Sequence, residues 1–80
     1  MKTGKYIIVK ELGHLVPILF HELISHNTFL KCYHIDDIHS AGFFHVHQDK
    51  QVSVFGISRT LKLKFDPDDS FRIQHLLETE

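Results

Sequence analysis

Residues 39–57 read HSAGFFHVHQDKQVSVFGI, and this stretch decides the fold because it predicts two antiparallel strands joined by a short loop. A three-residue loop at 48–50 would pair Val46 with Val52 and create one apolar face. The opposite face would then carry a mixed set of side chains: Phe43, His45, His47, Ser53 and Phe55. A two-residue loop would shift the register by one residue and exchange the faces of one strand. The three-residue loop is favoured because it separates the two kinds of side chain more cleanly.

Each strand of this hairpin contains one glycine. In the favoured register Gly42 lies opposite Gly56, which predicts a bend or a bulge at that point. Beyond Gly56, the residues Leu61, Leu63 and Phe65 alternate with polar residues. This alternation predicts that the strand resumes after the bend.

A second hairpin is predicted near the N-terminus, where apolar residues flank Leu12-Gly13. This dipeptide can form a two-residue turn in which the glycine takes a positive φ. Val9 would then face Val16, and matched apolar pairs would line one face of the sheet. Pro17 has no N–H group, so the second strand of this hairpin is predicted to lie at a sheet edge.

The segment between the two hairpins carries mixed signals. One or two turns of helix are predicted after the second strand, because Phe20, Leu23 and Ile24 have helical spacing. Residues 28–35 fit a strand, from their β-branched and aromatic content, or a brief helix capped by Asn27. The sequence leaves both alternatives open.

The C-terminal residues predict the clearest helix of the chain. Asp66 is a good N-cap residue, and Pro67 fits the first helical position. A stripe that includes Ile73 and Leu76 would pack on the sheet. Phe71 lies on a different arc of this helix, so we expect it either to bend inward or to mark a contact surface.

These elements predict one α+β domain over residues 1–80. It would hold a small antiparallel sheet of four to five strands in two hairpins, a short helical turn after the second strand, and a C-terminal helix packed on one sheet face. Because the other sheet face would lack a cover, we expect a homo-oligomer formed through a sheet face or a sheet edge. The candidate interface residues are Phe43, Phe55 and Phe71.

Composition and charge argue against several classes of protein. A hydrophobic fraction of 42% excludes a disordered chain, and no apolar run reaches the ~18 residues of a membrane span, so no membrane partner is expected. The net charge of −1 argues against a nucleic-acid partner, because the basic residues of 59–64 are followed by the acidic residues of 66–69. Cys32 is the only cysteine and cannot form an internal disulfide, so we expect a cytoplasmic protein.

The chain contains 8 histidines among its 80 residues. His45 and His47 form the best local metal pair, because alternation places both imidazoles on one face of a strand. A stable zinc site needs a third and usually a fourth ligand, for which Cys32, His34 and His39 are the candidates. We expect no cofactor, and zinc is the alternative.

One pair of residues meets the minimum for catalysis. Asp37 and His39 place a carboxylate near an imidazole, as acid–base chemistry requires. Such pairs also arise by chance, and a domain of 80 residues offers little room for a deep pocket. No catalytic residue is therefore predicted, and a small hydrolase or nuclease ranks last among the functional alternatives.

Several short segments follow one another in a suggestive order: Pro17 with Phe20, Ile24-Ser25-His26, Ser40-Ala41-Gly42-Phe43, Gly56-Ile57-Ser58 with Leu61, and Pro67-Asp68-Asp69. In order and spacing they resemble a group of small uncharacterised bacteriophage and prophage proteins. The resemblance implies a phage or mobile-element origin and a bacterial cytoplasm, and it implies no activity. We expect a non-enzymatic binding module that is homo-oligomeric and modulates a host protein. The alternative is a histidine-based protein that binds a metal or sequesters a ligand.

Overall fold

The structure is a computed structural model, and it describes residues 2–33, 37–59 and 61–78. Within these residues a four-stranded antiparallel sheet is combined with two helices, which confirms the predicted α+β fold. The elements in chain order are β1 (Thr3–Glu11), β2 (His14–Phe20), α1 (His26–Tyr33), β3 (Ile38–Val46), β4 (Val52–Phe55), β5 (Ile57–Ser58), β6 (Leu63–Lys64) and α2 (Asp69–Glu78). The main sheet has the strand order β2-β1-β3-β4, so β1 and β3 are central and β2 and β4 are the edges.

The N-terminal hairpin has the predicted register. Val9 faces Val16, and the turn consists of two residues with positive φ, Leu12 at 50° and Gly13 at 82°. A turn with positive φ at both positions matches the right-handed twist of the two strands. Pro17 lies on the edge strand β2, as predicted from its missing N–H group.

The hairpin of β3 and β4 has the register of the three-residue loop. Val46 pairs with Val52 and Phe43 pairs with Phe55, so one face is apolar and the other carries the mixed set of side chains. Gly56 has a φ of 79° and ends β4, which confirms the predicted bend.

The prediction that the strand continues after Gly56 is wrong. The chain instead folds back on itself as a small separate hairpin of β5 and β6, in which Ile57 pairs with Lys64. The backbone N–H of Phe65 then donates to the carbonyl of Gly56 at 3.3 Å, so the residue after the hairpin is hydrogen-bonded to the residue before it. Period-2 alternation does not distinguish a long strand from two short strands that return on each other.

The open question between β2 and β3 is answered by the helix α1, which covers residues 26–33. Its N-terminus is capped by Ser25 rather than by the expected Asn27. The Ser25 hydroxyl accepts a hydrogen bond of 3.0 Å from the backbone N–H of Thr28. The part of this prediction that concerns residues 34 and 35 lies outside the described residues.

Both faces of the sheet pack against other elements of the same molecule. One face packs against α2 in a buried cluster of Tyr6, Ile8, Phe44, Val52 and Ile73. The other face packs against α1 and the segment before β6, in a cluster of Ile7, Val9, Phe20, Leu30 and Ala41 with Leu61 and Leu63 at its margin.

The prediction of an uncovered sheet face is therefore wrong. Its basis was that the sequence shows one strongly amphipathic helix, whereas the short helix α1 also buries Leu30 against the sheet. An uncovered sheet face therefore no longer supports the expected homo-oligomer, which stays a prediction. Among the described residues, no helix has the length and apolar character needed to cross a bilayer.

Candidate functional site

An aromatic patch lies at the β4 edge of the sheet, on the face that packs against α1. We define it as Phe43, Phe55 and Ile57. The rings of Phe43 and Phe55 are nearly parallel, with centroids 5.7 Å apart and an angle of 16° between their planes. Phe55 is 46% exposed and Ile57 is 54% exposed, although both are large apolar side chains. Two of the three predicted interface residues, Phe43 and Phe55, are thus brought together.

The ring of Phe43 is held in position from three sides. The Nζ atom of Lys5 lies 5.8 Å from the ring centroid, which is within reach of a cation–π interaction. The ring of His26 meets it edge-on at 5.9 Å. A Cβ atom at Gly56 would stand 2.8 Å from Cδ2 of Phe43, so the backbone there packs directly on the ring. Gly56 is required for this contact as well as for its positive φ.

His26 joins α1 to the central strand next to the patch. It is only 4% exposed, and its Nε2 lies 3.0 Å from the carbonyl oxygen of Gly42, to which it donates. Burial lowers the pKa of His26, with a smaller contribution in the same direction from the charge of Lys5, while the Gly42 carbonyl opposes the shift. The structure therefore favours a neutral imidazole as a packing residue rather than as an exposed ligand.

Two grooves adjoin the patch, and both are lined by Ile57, Ser58 and Arg59. The first has a volume of about 500 Å³ and is lined by the aromatic ring of Phe43, with Lys5 contributing the charge. The second has a volume of about 620 Å³ and is lined by Lys62 and Lys64. We call the two together the cationic groove. Its lining contains four lysine and arginine side chains and no acidic side chain.

The acidic residues that follow this basic segment in the sequence do not line the cationic groove. Asp69 is fully buried. Asp66 accepts hydrogen bonds from Nε2 of His39 at 2.8 Å and from Arg72 at 3.3 Å. The hydrogen bond from His39, followed by contributions that include Arg72, lowers the pKa of Asp66 below its usual value. The balance of charges along this part of the sequence therefore differs from the balance in the lining of the groove.

A buried polar network connects β1, β3 and the start of α2 around Asp69. Its Oδ2 atom accepts hydrogen bonds from the hydroxyl of Tyr6 at 2.6 Å and from Oγ of Ser40 at 2.7 Å. Its Oδ1 atom accepts one from Arg72 at 2.7 Å. Burial, and then the neighbouring Asp69, raise the pKa of Tyr6 far above its usual value. Sequence reasoning missed this network, because its members come from distant parts of the chain.

The predicted metal pair lies next to the aromatic patch on the same face of the sheet. The rings of His45 and His47 have centroids 4.7 Å apart and are nearly perpendicular. Nδ1 of His45 lies 2.8 Å from Oγ1 of Thr3, and Nε2 of His47 lies 2.6 Å from Oγ of Ser53. Each imidazole thus engages one ring nitrogen in a hydrogen bond with a neighbouring hydroxyl.

The third ligand that zinc would need is not found in the described part of the chain. A search of those residues finds no group of three or more histidine, cysteine, aspartate or glutamate side chains that could hold a metal ion. Of the proposed additional ligands, Cys32 is exposed on α1 and His39 is bound to Asp66. His34 lies outside the described residues.

The remaining predicted residues lie away from the patch or have other partners. His39 is paired with Asp66 and not with Asp37, so the expected acid–base pair is replaced by a different one. Phe71 is 72% exposed on α2, so the inward-bending alternative is wrong. Because α2 packs on the opposite sheet face, Phe71 is separated from Phe43 and Phe55 by the sheet.

Sequence reasoning also missed the four cations beside the aromatic patch. They come from β1 and from the β5–β6 hairpin, and the fold brings these distant segments together. Comparison with known protein families, with curated proteins and with solved structures found no match to this chain.

Proposed function

We propose that this protein is a small non-enzymatic binding module and that its contact surface is the aromatic patch with the cationic groove. One observation carries the proposal: Phe55 and Ile57 are 46% and 54% exposed beside a groove lined by four cations and no acid. Exposed apolar side chains in a group, rimmed by polar ones, are typical of a surface that another molecule covers.

The chemistry of this surface supports an anionic partner. Lysine and arginine without acidic neighbours set up a positive potential that attracts negative charge and orients it on approach. The fixed ring of Phe43 gives the partner an apolar contact that needs little ordering on binding.

The biological setting is part of the same proposal. The ordered sequence segments support a phage or mobile-element origin and a bacterial cytoplasm, and small phage proteins commonly act by binding host components. A host macromolecule is therefore the proposed target.

Self-association, in this proposal, uses the edge strand β4. The backbone N–H of His47 donates to the carbonyl of Gln51. Because hydrogen-bonded and non-hydrogen-bonded pairs alternate along an antiparallel ladder, the backbone N–H and C=O groups of every second residue of β4 point towards β3. Val52 and Val54 then direct their N–H and C=O groups outward, whereas Pro17 interrupts the opposite edge. Sedimentation at increasing concentration tests this, together with concentration-dependent protection of the Val52 and Val54 amides from hydrogen exchange. A monomer whose two amides exchange at the same rate at all concentrations contradicts it.

The main proposal is tested by capture on three columns. The full chain, a Phe55→Ser/Ile57→Ser variant and a Phe71→Ser variant are immobilised at equal density and exposed to bacterial lysate. Phe71 is the matched control because it is a phenylalanine exposed on the other side of the sheet. Circular dichroism first establishes that the three proteins are equally folded.

We expect a macromolecule that the full chain and the Phe71→Ser column retain and that the Phe55→Ser/Ile57→Ser column loses. Raising the salt concentration should release it, because the attraction is partly electrostatic. Equal retention on all three columns, or selective loss with Phe71→Ser, contradicts the proposed surface.

A further inference from the structure

We propose that the partner of the aromatic patch and the cationic groove is a single-stranded nucleic acid. This inference rests on the proposed function, because it assigns a ligand class to the same surface. Proteins that bind single strands without strong sequence preference combine a positive groove for the phosphates with aromatic side chains on which bases stack. Both components are present here and lie side by side.

The choice of cations favours phosphate over an acidic protein. Four of the 9 lysine and arginine residues border the cationic groove: Lys5, Arg59, Lys62 and Lys64. Three of these four are lysines. Lysine is depleted in protein–protein interfaces, whereas it is a common partner of nucleic-acid phosphates.

The aromatic part of the surface suits an unpaired base. Phe43 and Phe55 lie on adjacent strands with nearly parallel rings, and Phe55 is 46% exposed. A base placed against the exposed part of Phe55 would extend an existing stack of two rings. Bases in a duplex are already stacked on each other, so this contact selects single strands.

The net charge of −1 argues against nucleic acid only if the charges are spread evenly. In the fold, Arg72 pairs with both Asp66 and Asp69, and no acidic side chain lines the groove, so the basic side chains set the field inside it. The phosphates of a bound strand respond to this local field within about one Debye length, ~10 Å at moderate salt.

The test is fluorescence anisotropy with labelled oligothymidylate and oligouridylate of about 12 nucleotides, a length that spans a typical single-strand site. A duplex of equal length and a labelled polyglutamate peptide are the comparison probes. We expect both single strands to bind more tightly than the duplex or the peptide. Between about 50 and 200 mM salt, log Kd should rise with log salt with a slope of about 2 to 3, since each neutralised phosphate of a single strand contributes about 0.7.

Two sets of variants separate charge from stacking. Arg59→Gln/Lys64→Gln should reduce the salt slope by about 1.4, whereas the matched control Lys10→Gln/Lys31→Gln, with two lysines outside the groove lining, should leave it unchanged. Phe55→Ser should weaken single-strand binding by about 5- to 150-fold, the range found when one stacking side chain is removed. Thermal unfolding confirms that each variant is folded.

The outcomes separate this inference from the proposed function. Binding of polyglutamate equal to or tighter than that of the single strands overturns the nucleic-acid assignment and leaves an acidic protein as the partner. Absence of single-strand binding by the folded full chain at about 50 mM salt also overturns it. In both cases the proposed function is still judged by the capture columns, with nuclease-treated lysate in a parallel arm, because a nuclease-resistant target lost with Phe55→Ser/Ile57→Ser would sustain it.

Discussion

The hydroxyl of Tyr6 donates a 2.6 Å hydrogen bond to Oδ2 of Asp69, a fully buried carboxylate 63 residues further along the chain. The same oxygen accepts a hydrogen bond from Ser40, so one carboxylate connects β1, β3 and the first turn of α2. Among the described residues, no buried side-chain polar atom lacks a hydrogen-bond partner. The buried polar groups of this network are thus all hydrogen-bonded, and they connect three secondary-structure elements at one carboxylate.

We predict that Asp69→Ala lowers the free energy of unfolding by about 3–5 kcal/mol, because it leaves Tyr6, Ser40 and Arg72 without their buried acceptor. Tyr6→Phe should cost less, about 1.5–3 kcal/mol, since it removes one hydrogen bond to a charged group. Urea denaturation measures both effects. The neighbouring Asp68, which is exposed, is the control, and Asp68→Ala should cost less than about 1 kcal/mol. A similar loss for both aspartates would contradict the structural role of Asp69.

His26 should make the stability depend on pH. Its folded-state pKa is lowered from the reference value of 6.5. At a pH between these two pKa values, His26 is therefore mostly protonated in the unfolded chain and mostly neutral in the folded chain. The free energy of unfolding should be constant above about pH 7 and should fall as the pH decreases through 6.5 towards the folded-state pKa of His26. Asp66, whose pKa is also lowered, acts in a separate window below its reference value of 3.8.

Urea denaturation at pH 7.5 and 5.5 measures this pH dependence. His26→Asn should reduce the difference between the two pH values, although it also weakens the contact with Gly42 and so lowers stability at both. His75→Asn, at an exposed position on α2, is the matched control and should preserve the wild-type difference. An unchanged pH dependence in His26→Asn would remove His26 as its source.

The turn between β1 and β2 offers a stabilising substitution. Leu12 has a φ of 50°, a backbone conformation that is unfavourable for a residue with a Cβ atom. Its side chain is 94% exposed, so no packing compensates for this cost. Asparagine tolerates this conformation, and Asn-Gly is the preferred sequence of such turns. Leu12→Asn should therefore raise the free energy of unfolding by about 0.5–1 kcal/mol, as measured by chemical denaturation. Leu12→Val, with a β-branched side chain in the same place, should lower it.

Zinc should bind weakly to the histidine pair. His45 and His47 supply two nitrogen ligands, and stable sites need more. Protein purified without a histidine tag should contain well under one zinc per chain by mass spectrometry of its metals. In the presence of a chelator, His45→Ala/His47→Ala should lower the thermal unfolding temperature only slightly. The expected decrease is that caused by the loss of two hydrogen bonds. Stoichiometric zinc that survives dialysis and is lost in this variant would favour the metal-binding alternative instead.

The two hairpins could be predicted because their signals are local. The turn residues Leu12-Gly13 fix one register, and the separation of valines from histidines selects the other. The pairing of β1 with β3, in which Ile7 meets Ala41, joins segments far apart in sequence. No pattern within either strand specifies that partner, because many strands of similar composition could pair.

The candidate site shows the same division between local and distant information. Alternation along β3 and β4 places Phe43, Phe55, His45 and His47 on one face, and the structure confirms this. The role of the β5–β6 hairpin was missed, because its basic residues and the following aspartates balance in the sequence. Only the fold shows that none of these aspartates lines the groove, with Asp69 buried and Asp66 paired with Arg72.

The bend at Gly56 begins a short loop that carries three basic side chains of the cationic groove. In this loop, residues 57–64, the three basic side chains are exposed, whereas Ser58 is buried and Leu61 and Leu63 pack at the margin of the core. Substitutions at Arg59, Lys62 and Lys64 can therefore change the charge of the groove, and with it the ligands that the groove binds, without disturbing the core. A lineage of such proteins would diversify its targets fastest in this loop.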